Sequence, residues 1–224
     1  MKIKISIIFL FISINNLFAQ VALSPSVVEL NIGTNRAQSY KIDYEIKGDP
    51  YLGKNLSPFT LKGATVKNVS LLRYNYFTDQ MEYLVGNVVY DLDRAENVLI
   101  SFNNDHRKFI FFINYPTLEG QQSGYLQIVE EGENATLYKK TSVMVEKKLM
   151  KEDIMDTGIT INEYTPKKPQ YYINIKNKFI PLSKSKEDLI KLIEDQSIKD
   201  FIKKEKISMI SEVDLIKLTK FINR

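Results

Sequence analysis

The chain has 224 residues, 44% hydrophobic and 26% charged, which is enough apolar material for one or two packed cores. It holds no Cys and a single His, so disulfides, thiolate nucleophiles, Cys-ligated metals and zinc sites built on several His are excluded. The net charge of +4 is uneven: Thr165–Arg224 carries 14 Lys/Arg against 8 Asp/Glu, or +6, whereas residues 20–164 carry 15 against 19, or −4. That split predicts two parts with different surfaces.

Taken in order, Met1–Ala19 has the parts of a secretory signal. Lys2 and Lys4 form the positive end, Ile5–Phe18 is a mostly apolar run, and Ala19 is a small residue at a cleavage point before Gln20. The run is too short and too interrupted for a stable membrane span, so it reads as a cleaved signal, or else as a retained anchor, and no span is expected after signal removal. No Cys follows it, which removes lipoprotein attachment. Ser39–Ile46 alternates, with Tyr40, Ile42, Tyr44 and Ile46 on one face, and reads as a half-buried strand. Gly48-Asp49-Pro50 breaks it. Phe59–Leu61 and Thr65–Val69 read as two strands around Gly63.

The clearest signal is Leu72–Asp93, which reads as three antiparallel strands. A two-residue loop at Thr78-Asp79 would set Tyr76 opposite Met81, Asn75 opposite Glu82 and Tyr74 opposite Tyr83. Gly86-Asn87 is a Gly-first hairpin turn that sets Tyr83 opposite Tyr90, Leu84 opposite Val89 and Met81 opposite Leu92. One face then carries the row Tyr74, Tyr83, Tyr90 and the row Tyr76, Met81, Leu92. The other carries Arg73, Asn75, Glu82 and Asp91, with Arg73 diagonal to Glu82. This polar face reads either as a binding surface centred on an Arg–carboxylate pair or as the solvated side of a sheet buried on one face, the plainer reading. The tyrosine row reads as core, or else as an exposed aromatic platform for a glycan or peptide. Arg73, Tyr74, Glu82, Tyr83 and Tyr90 are the candidate binding residues.

Val98–Phe102 and Lys108–Asn114 are strands around a turn that holds His106. Catalysis at His106 would need a nucleophile and an orienting acid that a turn does not supply, so it reads as a solvated turn residue. Gly124–Val129 and Thr136–Val145 flank an acidic turn whose Glu130, Glu131 and Glu133 match no calcium-loop spacing. The sequence divides into a β domain over 21–148, a linker over 149–169 with Gly158, Pro166 and Pro169, and a hairpin plus basic helical tail over 170–224. Tyr171–Ile175 and Lys178–Pro181 form the hairpin around Lys176-Asn177. Ser185 with Asp188, and Ser211 with Asp214, are helix-start signals. Leu189, Leu192 and Ile193, then Ile198, Phe201 and Ile202, then Leu215, Leu218 and Ile222 give three buried stripes. The intervening Lys residues read as a solubilising face, or as one that meets an anionic partner such as a lipid headgroup or polysaccharide; nucleic acid is not expected for an exported chain. No Gly-rich phosphate loop, H-E-x-x-H or G-x-S-x-G occurs.

Three sets of short motifs carry a resemblance: Pro50-Tyr51-Leu52 with Leu72-Arg73-Tyr74-Asn75 and Met81-Glu82-Tyr83; Tyr171-Tyr172; and Lys203-Lys204 through Glu212, Asp214-Leu215-Ile216 and Phe221-Ile222-Asn223. In these the chain resembles a group of uncharacterised exported proteins of Bacteroidota-type bacteria, which has no established activity. The resemblance implies export and a sheet-then-helix layout, and no catalytic residues. A weaker likeness, to the β-taco proteins that carry lipopolysaccharide, comes from the strand-turn units around Met81–Val89.

The expected fold is α+β: an antiparallel β-rich meander domain, then a small hairpin and a short C-terminal helical segment. The expected protein is non-enzymatic, exported, and periplasmic or outer-envelope associated, and it binds an envelope protein or serves as an assembly module, without cofactor. The alternatives are a lipid- or glycan-binding carrier that uses an open sheet face, and a carboxylate-dependent hydrolase.

Overall fold

A computed structural model describes residues 28–30, 45–150, 158–183 and 185–224. The signal segment and most of the Ser39–Ile46 strand lie outside the described residues. In chain order the strands are β1 (Val28–Glu29), β2 (Ile46–Lys47), β3 (Ser57–Lys62), β4 (Ala64–Thr65), β5 (Leu71–Asn75), β6 (Gln80–Val85), β7 (Val88–Asp91) and β8 (Leu99–Phe102). They continue with β9 (Lys108–Thr117), β10 (Gly120–Glu130), β11 (Ala135–Lys140), β12 (Val143–Met150), β13 (Ile159–Pro166), β14 (Gln170–Ile175) and β15 (Lys178–Pro181). Three helices follow: α1 (Lys186–Leu192), α2 (Gln196–Lys204) and α3 (Glu212–Ile222). The α+β expectation holds.

Ten strands form one sheet in the order β15-β14-β11-β10-β9-β8-β3-β5-β6-β7, with every neighbouring pair antiparallel. The link between β3 and β5 is short, only Ser57 opposite Leu72 and Pro58 opposite Leu71. There the meander β5-β6-β7 folds back over β8–β10. Tyr74 of β5 packs on Phe109 of β9 and Tyr125 of β10, with ring centroids 4.9 and 6.0 Å apart. At the other end the sheet curls so that β15 returns to β9. Phe179 meets Phe112 and Tyr115 at centroid distances of 5.5 and 6.2 Å. The pairings of β10 shift register between Gln122 and Gly124 and between Ile128 and Glu130, and such irregularities bend a strand and let a sheet curl.

The strand β10 is shared by three apolar clusters because successive side chains point to opposite faces. Tyr125 joins the cluster under the meander, with Tyr74, Met81, Tyr83, Phe102 and Phe109. Val129, on the same face, packs against the helices with Leu137, Ile173, Ile202 and Leu215. Leu126 and Ile128 face into the curl with Tyr115, Tyr138 and Tyr172.

Two boundaries need correction. Part of the stretch that reads as a linker, 149–169, is strand: β12 and β13 pair without interruption from Val143–Pro166 to Met150–Ile159, and β2 adds to β13 in parallel, while 151–157 lie outside the described residues. The polar composition that reads as a linker is that of an arm whose outer half is solvated on both faces. Thr136–Val145 is also not one strand. It breaks after Lys140, and Val143 begins the arm, with its N–H donating to the Tyr76 carbonyl at 3.0 Å. The hairpin β14–β15 continues the ten-stranded sheet, since β14 pairs along β11. Its turn matches the sequence reading, with Lys176 and Asn177 both at positive φ, 48° and 65°, as a tight hairpin turn requires.

The helices cover the sheet's far end. Asp195 caps α2 by accepting from the Ser197 N–H at 2.8 Å, and Ser211 caps α3 by accepting from the Asp214 N–H at 3.3 Å. Ser185 precedes α1 without such a bond; its hydroxyl donates to Glu187 Oε2 instead. Phe201 and Phe221 stack at 3.9 Å between centroids and hold α2 against α3. No helix among the described residues is long and apolar enough to cross a membrane.

Candidate functional site

The candidate residues sit on the β5-β6-β7 meander, whose local geometry is set by Asn75. Its side-chain oxygen accepts from the N–H groups of Phe77 and Thr78 at 3.0 and 3.1 Å. An Asn that binds the backbone ahead of it makes its own turn. The loop therefore spans residues 76–79, with Asp79 closing it at φ 57°. The register becomes Arg73 opposite Glu82, Tyr74 opposite Met81 and Asn75 opposite Gln80. Relative to the two-residue-loop expectation this is a slip of two positions, so every side chain keeps its expected face while every β5–β6 partner changes. Arg73 and Glu82 are directly opposite, not diagonal. The second hairpin has the expected register, Tyr83 opposite Tyr90 and Leu84 opposite Val89.

The polar face is covered by aromatic side chains. Arg73 donates from Nε to Glu82 Oε2 at 3.0 Å, and its Nη2 lies 3.0 Å from the same oxygen. The Tyr51 hydroxyl donates to that oxygen at 3.0 Å, and Asn75 Nδ2 donates to Oε1 at 2.7 Å. The Arg73 guanidinium stacks 3.8 Å above the Tyr51 ring, a cation–π contact. Glu82 is only 4% exposed, so the solvated-face reading is corrected there. Burial is tolerated because both carboxylate oxygens are supplied with donors, one of them cationic. Asp91, across from Glu82, has its carboxyl pushed up, first by burial and then by the Glu82 charge.

On the other face, Tyr74 and Tyr83 are each 1% exposed, and Tyr90 is half-buried and stacked on Tyr83 at 5.8 Å between centroids. The tyrosine row is core, and the open aromatic platform is corrected. At its end is a second network that sequence reasoning missed. The Tyr74 hydroxyl donates to Asp79 Oδ1, which also accepts from the Tyr125 N–H at 3.2 Å and lies 2.6 Å from Lys140 Nζ. Lys140 donates further to the Tyr125 carbonyl at 3.0 Å. Burial pushes the Lys140 ammonium pKa down, and the Asp79 charge opposes that. Gly124 leaves the space: a Cβ there would fall on the Asp79 carboxylate. Lys140 gives no local signal, since its partner is 61 positions away.

The five candidate residues therefore do not make one surface. Arg73 and Glu82 share one face, and Tyr74, Tyr83 and Tyr90 the other. Chemically, each carboxylate acts as a counter-ion and acceptor that ties a loop or strand to the meander. His106 is exposed in its turn at φ 57°. Among the described residues no three Asp, Glu or His side chains are grouped so as to hold a metal ion. A half-open cleft of about 220 Å³ lies between β14–β15 and α1–α2, floored by Ile175, Ile180, Ile193 and Ile198, with Lys178 Nζ donating to the Leu192 carbonyl at its edge.

The arm has the opposite character. Leu149, Met150 and Ile159 are 58%, 46% and 71% exposed near the end of β12–β13, and Lys147 and Lys148 are exposed on the outer strand. Compared with family models, curated proteins and solved structures, the chain matches none.

Proposed function

We propose that this is a non-enzymatic, exported envelope protein that binds another protein through the β12–β13 arm. The observation that carries the reading is the pairing of Met150 with Ile159, next to Leu149, as exposed apolar side chains on two paired strands. Exposed apolar groups gathered on one projecting element favour a protein contact over a scatter of single residues. Among the described residues β12 is the edge of its three-stranded sheet, where a partner strand can pair, with Lys147 and Lys148 guarding it against indiscriminate pairing. The non-enzymatic reading is supported by Glu82 and Asp79, whose acceptors are already taken by fixed internal donors. Export rests on the Met1–Ala19 pattern.

The test is photo-crosslinking in cells from a benzoylphenylalanine at position 150 or 159, with position 118 as an exposed control. A discrete adduct from the arm positions alone is expected. Adducts equal at all three, or absent at all three, would remove the reading. A carrier for a small lipid or glycan has one observation in its favour, the apolar-floored cleft beside α2. A copurifying small molecule, lost on Ile198→Trp and seen by native mass spectrometry, would favour the carrier.

A further inference from the structure

We propose that Lys203–Val213, which runs from the end of α2 through the following turn into the first turn of α3, is a docking surface for anionic lipid headgroups. The acids in and beside this stretch have partners within the fold. Glu205 Oε2 lies 2.6 Å from Lys217 Nζ. Glu212 Oε2 lies 2.7 Å from Lys139 Nζ and accepts from the Tyr171 hydroxyl at 3.0 Å. Asp214 Oδ2 accepts from the Ser208 N–H at 3.1 Å. Each acid is occupied by a partner that belongs to the fold. Lys203, Lys204 and Lys206 are exposed, and among the described residues none of them pairs with an acid. The acids of the stretch are therefore neutralised by lysines outside it, while its own three lysines face solvent without an acidic partner among the described residues.

Lysines at a helix end also complement the helix dipole, and that alone would explain Lys203 and Lys204. It does not explain their apolar neighbours. Ile210 and Val213 are 68% and 76% exposed on either side of the Ser211 cap. Their chain neighbours Ile207, Met209 and Leu215 are buried, so apolar side chains here had core positions to fill, and these two lie outside them. Exposed lysines and exposed aliphatic side chains in one short stretch are what an anionic membrane surface recognises: the cations meet headgroup phosphates and the aliphatics enter the headgroup–acyl boundary. The turn is held for this by Lys206, whose φ of 51° reverses the chain after α2. The surface is separate from the β12–β13 arm, so it stands or falls independently of the protein-binding reading.

The test is cosedimentation of the full chain with phosphatidylcholine vesicles, with and without phosphatidylglycerol. The expected result is sedimentation with the anionic vesicles only. K203Q/K204Q/K206Q should lower that affinity about a hundredfold. I210S/V213S should remove the part of the binding that survives high salt. Both variants change exposed side chains, and circular dichroism melting would verify that they fold. No sedimentation with anionic vesicles, or equal sedimentation with neutral ones, would overturn the proposal. So would binding to heparin as tight as to the vesicles and unchanged by I210S/V213S, which would mark a general polyanion surface.

Discussion

The meander β5-β6-β7 and the arm β12–β13 are built from the same kind of sequence, short alternating strands with charges among Tyr, Ile, Leu and Val, and they end in opposite environments. The meander is buried on both faces at Tyr74, Met81, Glu82 and Tyr83. The outer half of the arm is open on both faces at Leu149, Met150 and Ile159. Alternation predicts a strand and sorts its side chains onto two faces; what covers each face is decided elsewhere in the chain. For the meander, Tyr51 covers the polar side, and Tyr125 and Phe109 cover the aromatic side. Beyond its base at Val143 and at Tyr164, which packs on Phe77, the arm has no comparable cover among the described residues.

That contrast can be broken from the core side with alkali. Tyr74 and Tyr125 have phenol pKa values well above the ordinary value, chiefly through burial, and Tyr171 and Tyr172 are pushed up to about 12. A raised folded value means that the unfolded chain gives up its phenol protons first. Stability is therefore full below about pH 10 and falls as pH rises from there through the folded values. Lys140 works with the opposite sign: its lowered value means that stability gains as pH rises toward the ordinary lysine range. The several tyrosines outweigh the one lysine. Unfolding followed by circular dichroism should rise steeply above about pH 10, and stability unchanged between about pH 10 and about pH 12 would contradict the buried row.

Glu82→Ala should cost about 3–5 kcal/mol in denaturant melts, because it leaves the Arg73 cation and two donors without their acceptor in a largely covered site. Gly124→Ala should cost about 1–3 kcal/mol by displacing Asp79 from Lys140, and less in an Asp79→Ala background, where the added methyl has room. On the arm, L149S/I159S should change stability by no more than about 0.5 kcal/mol in the same melts. A loss comparable to that of Glu82→Ala would mean that the arm tip is core after all.

The sequence carried most of the strands because their determinants are local. Gly86-Asn87 fixed one hairpin and Lys176-Asn177 another, and both occur as read. The β5–β6 register was misread because Asn75 uses its side chain on Phe77 and Thr78, which moves the loop without changing the alternation. The arm reads as a linker in the sequence because lysines, Gly158 and other polar residues surround its few apolar side chains, Leu149, Met150 and Ile159. The Asp79–Lys140 network was not legible, since it depends on β5–β6 folding back over β10 and β11, a relation between distant segments. Tyr51 lies in one of the resemblance motifs, yet its role as a lid over Glu82 follows only from the turn after Pro50, whose carbonyl accepts from the Tyr76 N–H at 2.9 Å.

Residue-resolved amide hydrogen exchange tests the contrast between a closed meander and an open arm most directly. The account predicts that the amides of Tyr74, Glu82 and Leu92 exchange only through global unfolding, whereas those near Lys148–Met150 exchange orders of magnitude faster through local opening. Equal protection of the two hairpins, or faster exchange in the meander, would contradict it.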